Sequence, residues 1–175
     1  MIDDRIKHCY SCGHIAQTLF TEGKNRRVCS VCQLILYENP NPASSVLFIK
    51  ENQILLVKRA LEPRKDLWAL PGGYQELDET PEQAAKREMY EETGLKSDKM
   101  VLFDLFYNDQ SDKPVNVAVF FTQDAQGQLQ AGDDVSDVAF FPINNLPDPL
   151  AFHYIYHCLK KLSAIPIEAG VTSWF

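Results

Sequence analysis

The chain has 175 residues, a formal net charge of −7, and side chains that are 45% hydrophobic and 23% charged. Such a composition excludes a disordered chain and fits one ordinary domain with a small appendage. No apolar run nears the roughly 20 residues a membrane helix requires, and the acidic balance disfavours a nucleic-acid partner.

Chain order opens on Cys9-x2-Cys12 and, after sixteen residues, Cys29-x2-Cys32. That spacing reads as a four-cysteine site for one structural Zn²⁺. Tetrahedral thiolate coordination lets residues 1–37 fold without a large core. Disulfides are the alternative, but no signal peptide opens the sequence, so reduced thiols in a cytoplasmic chain are expected. His8 and His14 flank the first pair as spare ligands. Within residues 1–37, Arg5, Lys7, Lys24, Arg26 and Arg27 face Asp3, Asp4 and Glu22. Four thiolates and a zinc ion bring that balance close to neutral. A scaffolding or dimerising ribbon therefore fits better than a nucleic-acid adaptor, and a homodimer is an open expectation.

Glu38-Asn39-Pro40-Asn41-Pro42 reads as a stiff, extended linker over 38–42. Beyond it, Ser45 to Ile49 and Ile54 to Lys58 form a predicted hairpin about the polar turn Lys50-Glu51-Asn52-Gln53. Lys58, Arg59, Arg64 and Lys65 follow as candidate grips for substrate phosphates, with solubilising surface charge as the alternative. Val101 to Tyr107 and Val115 to Thr122 are the next predicted strands. A turn over Asp124 to Gln128 and a short strand from Val138 to Phe141, ended by Pro142, come after them. Leu150 to Leu162 has helical periodicity that places Phe152, Ile155, Tyr156 and Leu159 on one face. Cys158 reads as a buried apolar residue of that helix. The tail 166–175 has no clear periodicity; Trp174 and Phe175 at its end are expected to pack on the domain or on a partner.

Between these strands lies the segment that carries chemistry. It reads Gly73-x5-Glu79-x7-Arg87-Glu88-Met89-x-Glu91-Glu92-x-Gly94-Leu95, nine fixed positions at fixed spacing. Thr80 is a good N-cap, Pro81 a good first helical residue, and Gln83 closes a capping box. Gly94 is the expected left-handed C-cap. Ala85 and Met89 give the core-facing stripe. Glu88, Glu91 and Glu92 converge on one patch, because residues three and four apart on a helix are neighbours. Like charges so close repel, and a hard divalent cation such as Mg²⁺ or Mn²⁺ removes the conflict. A solvated acidic helix face is the bland alternative.

This segment resembles the Nudix box, and Leu67-Trp68-Ala69-Leu70-Pro71-Gly72-Gly73 resembles the run that leads into it. The resemblance implies an α/β/α sandwich with a mixed sheet over residues 43–165, preceded by the small zinc ribbon. It implies metal-dependent hydrolysis of a pyrophosphate bond, with Glu88, Glu91 and Glu92 as metal ligands and a carbonyl of Gly72 or Gly73 beside them. Arg87 and Glu79 are implied to pair and fix the loop on the helix, with Glu79 in reach of metal through water. Asp133, Asp134 or Asp137 is implied as the extra carboxylate that many such enzymes bring from a downstream loop; a solvated loop acid is the alternative.

Ribbon followed by box resembles the NADH pyrophosphatase branch. The post-box Ser-Gln-Pro-Trp-Pro-Phe-Pro stretch of that branch is missing, however, and Tyr37 is followed by Glu38-Asn39 where that branch has Pro-Arg. The run from Ala131 to Asp134 through Phe140-Phe141, with Leu146-Pro147 and Leu150-Ala151-Phe152, resembles ADP-ribose pyrophosphatase-type members. The expected activity is thus Mg²⁺-dependent cleavage of a nucleoside diphosphate derivative, ADP-ribose or NADH first. Phe48, Phe106 and Tyr107 are candidate platforms for an adenine ring. A catalytically silent nucleotide-binding module of the same fold is the competing class, with the nucleic-acid adaptor behind it.

Overall fold

In the computed structural model, residues 6–108, 114–132 and 134–164 are described; the expected tail 166–175 and Asp133 lie outside them. Between Asn39 and Pro40 the chain divides into two compact units.

The first unit is a three-stranded antiparallel sheet in the order β1-β2-β3, from Ala16–Thr21, Lys24–Cys29 and Ile35–Leu36. Glu22 and Gly23, at φ 50° and 76°, make the two-residue turn between β1 and β2. Positive φ at both positions matches the right-handed twist of the flanking strands. Its core cluster is Cys9, Ala16, Cys29 and Leu36, with Ile6 and Leu34 packed against it. Four small or medium side chains bury too little apolar surface to hold a sheet by themselves.

Apolar runs buried on both faces set the architecture of the second unit. Its strands are β4 (Asn41–Lys50), β5 (Gln53–Arg59), β6 (Trp68–Ala69), β7 (Gly72–Tyr74), β8 (Leu95–Lys96), β9 (Val101–Asn108), β10 (Val115–Thr122), β11 (Gln126–Gly127) and β12 (Val135–Pro142). The helices are α1 (Pro81–Thr93) and α2 (His153–Ala164). A seven-stranded mixed sheet runs β12-β5-β4-β10-β9, with β6 added on β5 and β7 on β4, and with β4 and β10 parallel. Strand alternation sends Val46 and Phe48 of β4 into one cluster with Ala85 and Met89 of α1. It sends Leu47 and Ile49 into the other, with Ile155 and Cys158 of α2. Each fully buried aliphatic side chain contributes about 1.5–3 kcal/mol, so the central strands are buried on both faces and read as continuous apolar runs.

The predicted hairpin of β4 and β5 pairs only at its closed end, Ile49↔Ile54 and Lys50↔Gln53. The two strands then diverge. β6 pairs with β5 at Val57↔Ala69, and β7 pairs with β4 at Ser45↔Gly72. The glycine run is thereby wedged between the opened strands, where its backbone groups are held by the sheet.

Two expectations need correction. The linker 38–42 is not free of the domain: β4 starts at Asn41, whose N–H donates to the Pro114 carbonyl at 2.9 Å. Pro42, which has no N–H to donate, uses its carbonyl to accept from Gln75. The phase of α2 also differs. Tyr154, Ile155 and Cys158 are buried while Tyr156 is 40% exposed, because Tyr156 is drawn outward to accept from Leu150 N–H and to donate to Asp148, both at 2.8 Å.

Candidate functional site

Local signals fix α1 at both ends. Gln83 N–H donates to Thr80 Oγ1 at 3.3 Å and Thr80 N–H to Gln83 Oε1 at 2.7 Å, so the capping box is complete. Gly94 caps the other end at φ 72°, where a side chain would be strained. Between the caps the helix turns Ala85 and Met89 inward and banks its acids along one flank.

Arg87 organises that flank. Its Nε and Nη2 grip both oxygens of Glu79, at 3.0 and 2.7 Å. Nη2 also donates to the Tyr74 carbonyl at 3.0 Å, and Nη1 to Glu88 and Glu91 at 2.7 and 2.9 Å. Five hydrogen bonds from one guanidinium tie loop, strand and helix together, with the bidentate geometry only arginine offers. Arg87 in turn holds the Glu79 carboxyl below its usual range, against the opposing effect of burial.

Glu92 is anchored differently. Its Oε2 accepts from Gly72 N–H at 2.8 Å. Burial is the main cause that pushes its carboxyl up to about 8; the Gly72 bond opposes this, and the charges of Glu88 and Asp134 add to it. Glu88 is likewise raised by burial, with Arg87 pulling the other way. The carboxylates of Glu88, Glu91 and Glu92 thus share a flank but are bonded to Arg87 and Gly72 rather than drawn to one point.

Side chains at the two glycines would crowd the site, Gly72 against backbone and Gly73 against a carboxyl of the acidic flank. A Cβ on Gly73 would stand 2.5 Å from Glu88 Oε1. One on Gly72, at φ +154°, would run into the Ser44 carbonyl oxygen and stand 2.5 Å from Ser45 Oγ.

The other candidates scatter. Arg59 stands near the acids: its charge acts on Glu92, its Nε donates to the Pro63 carbonyl at 2.8 Å, and its guanidinium lies 5.3 Å from the Phe152 ring centre. Lys58 is paired along the sheet with Trp68 and Asp137. Neither its side chain nor that of Arg64 joins the hydrogen bonds described around the acids. Asp134 acts electrostatically on Glu92, and its carbonyl accepts from Ala60 N–H. Asp137 instead accepts from its neighbour Val138 at 2.8 Å. Phe48 is core, 2% exposed, and Phe106 packs on Tyr154 and His157; Tyr107 is exposed. Sequence reasoning missed Phe152 as the aromatic beside Arg59, because that residue was assigned to the helix interior. A cavity of about 450 Å³ lies away from the acids, beside Tyr90, Lys96, Lys99 and Asp124.

In the first unit the four cysteine sulfurs lie within 4.8 Å of one another. Cys9 to Cys32 is 3.7 Å, Cys12 to Cys29 3.4 Å and Cys12 to Cys32 3.5 Å. All five cysteines of the chain are free thiols. Tetrahedral zinc with bonds of about 2.3 Å separates its sulfurs by about 3.8 Å, so the cluster has the size the ion needs. The Val31 N–H, ahead of the Cys32 N–H and the neighbouring thiols, lowers the Cys29 thiol to about 6 despite burial. His8 and His14 stand outside the cluster.

The sandwich locks an arginine among the acids of α1, behind the close-packed Gly72 and Gly73. The family model described as the NUDIX domain matches residues 39–161. The chain is a member of the Nudix family and a pyrophosphohydrolase. It is similar to the ADP-ribose pyrophosphatase of Methanocaldococcus jannaschii, 41% identical over 121 residues, which are 68% of this chain and 71% of that protein. Among solved structures it resembles a NUDIX hydrolase from Nitrosomonas europaea, with a TM-score of 0.70 and 28% identity over 88% of each chain. It also resembles a bifunctional NMN adenylyltransferase/ADP ribose pyrophosphatase from Francisella tularensis, complexed with AMP and a manganese ion. That match has a TM-score of 0.60 and 28% identity, over 73% of this chain and 42% of the other.

Proposed function

We propose that the protein hydrolyses the pyrophosphate bond of a nucleoside diphosphate derivative, ADP-ribose ahead of NADH, with Mg²⁺ or Mn²⁺ at the acidic flank of α1. The observation that carries this reading is the acidic flank of α1, where Arg87 ties down Glu79, Glu88 and Glu91 and the Gly72 N–H holds the half-buried Glu92. Carboxylates gathered so closely are hard oxygen donors, which suit Mg²⁺ or Mn²⁺. Glu88, Glu91, Glu92 and a carbonyl of Gly72 or Gly73 would hold the ion. When bound, it supplies charge neutralisation on the phosphoryl oxygens and a more acidic water.

The chain's own groups do the rest by positioning. Arg87 fixes Glu79 and the Tyr74 carbonyl, and so the glycine turn, on α1. Gly72 N–H orients Glu92. Arg59, beside Phe152, is the basic side chain best placed to meet substrate phosphate; Lys58 and Arg64 remain weaker candidates. The same reading gives the cysteine cluster one structural Zn²⁺, in keeping with a reducing, cytoplasmic setting.

ADP-ribose leads for two reasons. The relative at 41% identity is an ADP-ribose pyrophosphatase, and the post-box stretch of the NADH branch is missing. A phosphate-release screen over nucleotides, with and without Mg²⁺ and a coupling phosphatase, tests the reading. Mg²⁺-dependent release from ADP-ribose is expected, and none from any diphosphate derivative would defeat it.

A further inference from the structure

The face of the sheet against α2 is largely apolar, and two hydroxyls meet within it. Ser45 and Tyr154, 4% and 6% exposed, share a hydrogen bond of 3.0 Å there, 109 residues apart in sequence. Ala and Phe would fill the same space without two hydroxyls to satisfy, so packing alone does not require the pair.

We propose that the Ser45–Tyr154 pair positions Glu92, acting through Gly72. The inference rests on the reading of Glu92 as a ligand of the hydrolytic site. Ser45 is the cross-strand partner of Gly72. Its Oγ occupies the space a Gly72 side chain would take, 2.5 Å from the Cβ position. Gly72 therefore leans on the Ser45 hydroxyl on one side while its N–H holds Glu92 at 2.8 Å on the other. Gly72 carries no side chain, so its place is set by the pairing of β7 with β4, in which Ser45 is its partner. The Tyr154 hydroxyl pins the Ser45 rotamer, and the rotamer supports the glycine. Tyr154 itself is held between Phe152, stacked on it at 5.9 Å, and Phe106, tilted against it at 6.0 Å. Consistent with this proximity, burial first and then the charges of Cys158 and Glu92 hold the Tyr154 phenol above its ordinary range. The C-terminal helix thus reaches the acidic flank without touching it.

The test compares Tyr154→Phe, Ser45→Ala and the double variant with the unaltered full chain. Three readouts are needed: the Gly72 amide resonance in Mg²⁺-free protein, Mn²⁺ affinity by electron paramagnetic resonance, and thermal stability. Each single variant should move the Gly72 amide upfield, as its bond to Glu92 lengthens, and should weaken Mn²⁺ binding about tenfold or more, the size typical of groups that orient metal ligands. Each also strands a buried hydroxyl, so both singles should lose stability. The double variant strands none and should regain stability, yet keep the shifted Gly72 resonance and the weak Mn²⁺ binding. If stability, resonance and affinity all return together in the double variant, the pair only packs and the proposal is overturned. Glu92→Gln separates the two levels. Weak Mn²⁺ binding in Glu92→Gln with normal binding in Tyr154→Phe sinks the positioning role alone. Normal binding in Glu92→Gln sinks the reading beneath it as well.

Discussion

Arg87 and Glu79 meet through two hydrogen bonds, 3.0 Å from Nε and 2.7 Å from Nη2. Their side chains are 29% and 12% exposed, so the pair is largely shielded from water. Lysine carries the same charge but cannot reproduce the fork. In Arg87→Lys, the Tyr74 carbonyl and at least one Glu79 oxygen should lose their donor. The cost should be about 2 kcal/mol, as for charged hydrogen bonds, and kcat should fall about tenfold or more as the glycine turn loosens. Thermal melts and steady-state rates check both. A variant with unchanged kcat would remove Arg87 from the positioning machinery.

Replacing Glu91 or Glu92 by Gln removes charge but little volume, so the fold should survive. Activity should not. Loss of metal-assisted charge stabilisation lowers rates on the order of a hundredfold or more. Circular dichroism should match the unaltered protein while Mg²⁺-dependent turnover collapses. Near-normal turnover in both variants would contradict the assignment.

Burial gives Glu92 a pH signature of known sign. Its folded carboxyl is raised from 4.5 to about 8, so between those values the native state keeps a proton that the unfolded chain has released. Stability then falls as pH rises through that window and levels off above it. To order of magnitude the fall is a few kcal/mol. In Mg²⁺-free buffer the melting temperature should drop between pH 5 and pH 8, and Glu92→Gln should flatten that slope. Because the cation competes with the proton, stabilisation by Mg²⁺ should grow over the same window. An equal slope in the Gln variant would assign the titration elsewhere.

Most of this site was legible because its signals are local. Thr80, Pro81, Gln83 and Gly94 act within one turn of the helix end they define, and the Arg87 and glutamate spacings survive any packing. The mixed sheet was legible from the apolar runs at Val46–Ile49 and Ile54–Val57, which alternate into both cores. What stayed hidden depends on distant partners. Asn41 joins a strand because Pro114 and β10 lie beside it, and Tyr154 rather than Tyr156 turns inward because Ser45 waits there while Asp148 draws the other phenol out. Phe152 meets Arg59 because Leu150 and Ala151, just before α2, dock on Trp68 beside β5. No periodicity in the sequence encodes such meetings.

Cys9, Cys12, Cys29 and Cys32 should bind one Zn²⁺ per chain, kept when Mg²⁺ is washed away. Their small sheet buries too little to stand alone, so ligand loss removes most of its folding energy. Cys29→Ser should open residues 6–37 to protease while the larger unit stays resistant. Disulfides, or an absence of zinc in protein prepared under reducing conditions, would refute the assignment.

Substrate choice is the last test, and it sets architecture against site chemistry. The four-cysteine unit favours NADH, because such a unit followed by the box resembles that branch. Yet discrimination comes from groups touching the distal half of the substrate, and the post-box stretch of the NADH branch is missing from residues 96–175. The aromatic beside Arg59 is Phe152, in the Leu150-Ala151-Phe152 run that resembles the ADP-ribose type. A ribbon in a separate unit can be kept while specificity changes, so site chemistry should outweigh it. ADP-ribose should therefore be cleaved at least as well as NADH, compared as kcat/KM at the same Mg²⁺ concentration. A preference for NADH above about tenfold, roughly 1.4 kcal/mol of transition-state discrimination, would mean the ribbon was the better guide.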